Sequence, residues 1–203
     1  MNVKLLKYCF IGIIYFTITF NIKAQFVNNK YRNAFSNALR YYPEIDSNSI
    51  EIKNKKLCAS MMARPQISYF FCKNRKYSIY INTSLKKTGF LPYYMPDSAL
   101  AGLFGHELAH IYFYQNISRT NMIKFTFQYL RKSQIKRIER ETDSITISKG
   151  LGNELFIFRN YIDTCSTINS KYKTKKEELY LNKTELLILI DEHNKISCDS
   201  LKN

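Results

Sequence analysis

The sequence predicts an α+β fold, mainly helical, with a small antiparallel β unit ahead of one long central helix. Three observations carry this expectation. Apolar residues recur at the three- and four-residue spacing of helices through most of the chain. Two short runs of β-branched and aromatic residues, 67–72 and 77–82, flank the polar stretch Lys73-Asn74-Arg75-Lys76, which is the pattern of a hairpin. At 203 residues the chain is long enough to bury one sizeable core, and it shows no internal repeat or low-complexity tract.

Residues 1–24 place Lys4 and Lys7 before an apolar run from Tyr8 to Phe20 that closes at Ala24. This is the layout of an export signal cut after Ala24, which implies a secreted or periplasmic protein. The run is shorter than the roughly 20 residues that cross a bilayer, so no stable membrane span is expected after cleavage. Residues 25–203 then read as a single domain. Cleavage removes three lysines and lowers the net charge from +15 to +12, with 28 basic and 16 acidic residues left. Lysine and arginine are spread along the chain without a clustered basic helix, so nucleic acid is not an expected partner. Export also gives Cys58, Cys72, Cys165 and Cys198 a compartment in which disulfides persist. The expected pairs are Cys58 with Cys72, stapling the β unit, and Cys165 with Cys198, tying the C-terminal helices.

Residues 30–41 carry Tyr31, Ala34, Phe35, Ala38 and Leu39 at helical spacing and stop at Tyr42-Pro43. Residues 49–52 read as a short strand. The hairpin follows, and its second strand, 77–82, alternates so that it can stand at a sheet edge and receive an extended peptide. Pro92 and Pro96 make a turn-rich link to Asp97 and Ser98, either of which can cap a helix over 97–115. Residues 120–130 read as a helical connection. Residues 133–149 form a helix with Ile135, Ile138, Thr142 and Ile145 on one face, ending at Gly150 and Gly152. Residues 153–163 predict a helix packed behind it, 164–176 a polar loop, and 184–193 a buried helix.

Within the helix over 97–115, His106-Glu107-Leu108-Ala109-His110 forms a His-Glu-x-x-His motif. Positions four apart share a helix face, so His106 and His110 can present two imidazoles to one metal ion. Two of the chain's three histidines occupy these positions. Zinc suits such a pair because it is a Lewis acid without redox chemistry and lowers the pKa of bound water towards about 7. Glu107, one step round, is placed to act as general base and pass a proton to a leaving amine. Two histidines leave zinc one ligand short. With His193 the only other histidine, the carboxylates supply the candidate. Glu139 and Asp143 lie four apart beside the apolar face of the helix over 133–149, Glu139 as ligand and Asp143 as hydrogen-bond acceptor for a ligand imidazole. Glu141 is the nearest rival and faces elsewhere.

These two motifs, His106-Glu107-x-x-His110 and Glu139-Arg140-Glu141-Thr142-Asp143, resemble the gluzincin metallopeptidases that include the CAAX prenyl endopeptidase, the membrane protease HtpX and related periplasmic peptidases. The resemblance covers about 50 residues. It implies a zincin-like core with one zinc per chain, held by His106, His110 and Glu139, with Glu107 as general base and Asp143 behind the ligands. Thr142 stands where that family commonly has Ala, and the membrane spans of several members are absent. The function expected is a zinc-dependent metalloendopeptidase acting on a protein or peptide substrate. His193, Tyr161 and Tyr180 are all open as donors to the oxyanion that forms on the substrate. The alternative is a non-catalytic protein that keeps its zinc for structure or for holding a partner, and a third reading is a basic module that binds anionic surfaces.

Overall fold

The structure, a computed structural model, describes residues 28–200, with side chains through 197. The export signal expected at residues 1–24 lies outside the described residues. In chain order the elements are α1 (Asn29–Leu39), β1 (Ile50–Lys55), β2 (Met61–Pro65), the short α2 (Ser68–Phe71), β3 (Tyr77–Asn82), the short α3 (Leu85–Thr88), α4 (Asp97–Asn116), α5 (Arg119–Gln128), α6 (Lys132–Thr146), α7 (Gly152–Thr164), α8 (Ser170–Leu179) and α9 (Lys183–Ser200). The fold is α+β and mainly helical, as the sequence predicts.

Helix α4 is the axis. Every residue from Ala99 to Ile111 is buried, because apolar side chains cover the full circumference and α1, α6, α7 and β2 pack around it. Gly102 permits the closest of these contacts: a Cβ there would sit 2.2 Å from the Glu154 carbonyl oxygen of α7. Neither Asp97 nor Ser98 caps the helix. The N-cap is Pro96, without a side-chain hydrogen bond, while Asp97 places its charge in the first turn. Lys30 of α1 pins that end by donating to the Met95 carbonyl at 2.7 Å.

The β unit differs from the antiparallel hairpin expected. It is a three-stranded mixed sheet of order β1-β3-β2, with β1 parallel and β2 antiparallel to β3. Residues 77–82 form a strand, but the central one, buried at every position except Tyr80, so they offer no free edge. The expected partner run, 67–72, is instead the helical turn α2. Its aromatic content satisfies strand propensity, but consecutive residues Tyr69 and Phe70 pack on the core while Ile67 and Phe71 stay in solvent, which is not the alternation of a strand. Met61–Pro65, with little strand propensity, takes the place because it packs on α4 and pairs with β3.

Three further expectations are corrected. Residues 170–179 form a helix and not part of a loop; their polar composition hides a buried stripe of Tyr172, Lys176 and Leu179 at spacings of four and three. Helix α9 is longer than expected and half-buried: Leu186 and Ile190 face the core while Leu187 and Ile188 are exposed. Cys58, Cys72 and Cys165 are free thiols, so neither expected disulfide forms. Cys58 precedes the end of β2 where Met61 faces Ile81, and Cys72 lies beyond the other end, where Pro65 faces Tyr77, so the strand stands between them. The Cys198 side chain lies outside the described residues.

Candidate metal centre

The site is built where α4 and α6 cross. Successive turns of α4 carry His106 and His110 to one face, and α6 meets that face with Glu139, Thr142 and Asp143, which its 3.6-residue repeat places on one side. Glu139 Oε2 lies 3.1 Å from His106 Nε2 and 3.5 Å from His110 Nε2. One nitrogen of each imidazole and one Glu139 oxygen all fall within 4.8 Å of one another. The structure therefore brings together the three ligands expected from the sequence. Glu141 points away and pairs with Arg137 on the surface.

The far side of each ring fixes its proton. His106 Nδ1 is 2.9 Å from Asp143 Oδ1, a carboxylate that can only accept, so Nδ1 carries the hydrogen. The Thr142 hydroxyl donates its one hydrogen to the Ile138 carbonyl at 2.8 Å. It can only accept from His110 Nδ1, 3.3 Å away, which places that ring's hydrogen on Nδ1 as well. Both Nε2 lone pairs consequently face the Glu139 carboxylate. Three electron-pair donors meet without a donor hydrogen among them, an arrangement that requires a cation or an extra proton between them.

In the protein alone that proton is held tightly. Burial opposes charge on His106, but hydrogen bonds to Asp143 and Glu139 more than offset it and raise the imidazole to about 9. Burial likewise pushes Glu139 up, yet the two histidines hold its carboxyl well below the usual range. Asp143 is fully buried; burial alone would raise it, while the Arg159 charge and the His106 hydrogen bond keep it low. Arg159 Nη2 donates to both Asp143 oxygens at 2.8 and 2.9 Å, and the Leu181 N–H adds a third donor group at 3.1 Å.

The donor set fits zinc. Two imidazole nitrogens and a carboxylate are its usual catalytic ligands, and ligand bonds of about 2.0–2.2 Å in tetrahedral array put neighbouring donors about 3.3 Å apart. The two histidine-to-Glu139 separations, 3.1 and 3.5 Å, match that edge, and all three ligand atoms lie within 4.8 Å of one another. His106, His110 and Glu107 are buried, and with Glu139 they line a cavity of about 470 Å³. The Ala63 N–H of β2 donates to Glu107 Oε2 at 2.6 Å, fixing one carboxylate oxygen against the strand. Met61, Ala63 and Arg64 of β2 wall the cavity together with Tyr114, Met122, Phe125 and Tyr129.

Of the three side chains left open as oxyanion donors, the structure brings Tyr180 alone to the cavity. Its ring centroid is 5.5 Å from that of His106, with Lys176 Nζ 3.8 Å and Arg159 Cζ 4.2 Å from its centre. Burial, then the Glu139 charge, hold its phenol well above the usual range, so it stays a hydrogen-bond donor. Tyr161 packs against Phe90, and the His193 ring meets the Ser148 carbonyl. Sequence reasoning missed Arg159, Thr142 and Ala63. Arg159 had a signal, a cation on the face of α7 shared with Leu155 and Ile162. Ala63 acts through its backbone and leaves none.

Compared with family models, with curated proteins and with solved structures, the chain matches none.

Proposed function

We propose that the protein is an exported zinc-dependent metalloendopeptidase of gluzincin type, with His106, His110 and Glu139 holding one zinc per chain and Glu107 acting as general base. The convergence of two Nε2 lone pairs and a carboxylate oxygen beside Glu107, in a cavity open to solvent, carries this reading. Zinc supplies Lewis acidity and makes water easier to deprotonate at neutral pH.

The chain's own groups do the rest. Asp143 and Thr142 hold the two rings in the tautomer that keeps Nε2 free. Glu107, held by the Ala63 N–H, takes a proton from water in the cavity and returns it to the leaving nitrogen. Tyr180 donates to the oxygen that gains charge as the amide is attacked. β2 is an edge strand on the cavity wall, so an extended peptide can lie along it and accept or give main-chain hydrogen bonds.

The test is metal analysis of the purified chain paired with hydrolysis of labelled casein. The wild type is expected to hold one zinc and cleave; Glu107→Gln is expected to keep the zinc and lose about 10²–10⁴-fold in rate. Full zinc occupancy with no hydrolysis by the wild type would overturn the enzyme reading and leave a structural metal site.

A further inference from the structure

We propose that the rim of the cavity docks on an anionic phospholipid surface. Two elements carry the observation. Helix α5 and the turn that follows it divide lengthwise: Met122 and Phe125 line the cavity, while Ile123 and Phe127 of the helix and Leu130 of the turn, spaced four and three apart, face solvent. The short turn at α2 divides the same way, Phe70 lining the cavity and Ile67 and Phe71 standing outside. The five outward side chains are between 52 and 82% exposed. Arg119, at the start of α5, donates through Nε to the Tyr69 carbonyl at 3.1 Å and through Nη2 to the Cys72 carbonyl, so the two sets of residues flank one cavity. Large apolar side chains grouped in this way mark a surface that meets something other than water.

The charge distribution says what that is. Residues 52–96 and 108–138 supply β2, α2 and α5, and they contain 15 of the 31 basic residues and no Asp or Glu. The rest of the chain holds 16 basic and 16 acidic residues. Three of the 15 cations, Lys53, Lys132 and Arg137, pair with Glu51, Glu178 and Glu141 from outside the two segments, which leaves these segments with a net excess of twelve positive charges. The basic residues are spread evenly enough to escape notice; it is the missing acids that segregate the charge. Lys73, Lys124 and Arg131 are exposed near the apolar crest in sequence.

Cationic side chains interleaved with exposed aliphatic and aromatic ones fit the headgroup boundary of an anionic bilayer, where the apolar groups enter the acyl region and the cations stay among the phosphates. A nucleic acid would use the cations but give Ile67, Ile123 and Leu130 nothing to enter. No described helix is long and apolar enough to cross a membrane, so the contact is peripheral. Docked in this way, the protein holds its cavity against the bilayer. The inference rests on surface and charge alone and stands whether or not the metal site is catalytic.

Flotation of the full chain with vesicles of phosphatidylcholine, with and without phosphatidylglycerol, tests it. Phe127→Ser/Leu130→Ser and, separately, Phe71→Ser change exposed side chains on two elements, and unchanged melting temperatures certify their folding. The expected result is binding to the phosphatidylglycerol vesicles that weakens as salt is raised and falls about tenfold or more in each apolar variant. Absence of binding, or equal binding by wild type and both variants, would overturn the proposal. The same holds if polyglutamate or DNA competes fully while the apolar variants bind as the wild type, because the occupant is then an acidic polymer.

Discussion

Thr142 decides which nitrogen of His110 faces the cavity. Its hydroxyl has one hydrogen, committed to the Ile138 carbonyl, and so takes rather than gives at His110 Nδ1. Thr142→Val keeps the shape and removes the acceptor, and zinc affinity is expected to fall about 10–100-fold in a competitive chelator titration. Thr142→Ser should restore most of it; equal affinity in all three proteins would show that the hydroxyl does not set the tautomer. This residue is also where the chain departs from the pattern it resembles. From the sequence it is no more than one member of a face shared with Ile135, Ile138 and Ile145, because its function depends on where α6 sets its hydroxyl against α4. His106, Glu107 and His110 were legible for the opposite reason, since spacing along a single helix fixes their relation before any tertiary contact exists. Tyr180 and Ala63 belong to segments brought to the site only by folding.

At the scale of elements, α4 and α7 meet backbone to backbone at Gly102. Any side chain there must drive the Glu154 carbonyl away, so Gly102→Ala is expected to lower stability by about 1–3 kcal/mol or more in denaturant melts. Unchanged stability would mean that the helices separate freely at this crossing. Zinc affinity should fall in parallel where the shift reaches His106, one turn along. The long apolar helices were readable because their periodicity survives any partner. The sheet was not, since Met61–Pro65 is a strand by position, through pairing with β3 and packing on α4, and not by composition. Helix α8 escaped for a related reason: a lysine, Lys176, occupies the middle of its buried stripe and disguises an amphipathic pattern as a polar loop.

That lysine shapes the behaviour of the whole molecule. Burial first, then the neighbouring Arg159 charge, lower its ammonium from the ordinary lysine range to about 7. The unfolded chain keeps the same proton to about pH 10.4. Between these limits the unfolded state binds more protons, so the residue makes stability rise with pH and imposes its full penalty below about pH 7. Urea unfolding across about pH 7 to 9 should show wild type gaining up to about 1.4 kcal/mol per pH unit relative to Lys176→Met. Parallel curves would show that the ammonium is not desolvated. Zinc bound at the proposed site would act on the same equilibrium, because a ligand set assembled from α4 and α6 exists only in the folded chain. Metal at about 1,000 times its dissociation constant should add about 4 kcal/mol to unfolding, and chelation should remove it.

The central claim concerns one point in space, the meeting place of His106, His110 and Glu139. Anomalous diffraction at the zinc edge from crystals of the zinc-loaded protein locates the metal directly. The account predicts a single strong peak per chain about 2.0–2.2 Å from the two Nε2 atoms and a Glu139 oxygen. A peak elsewhere, or full-strength anomalous signal retained at another position in Glu139→Ala, would contradict it.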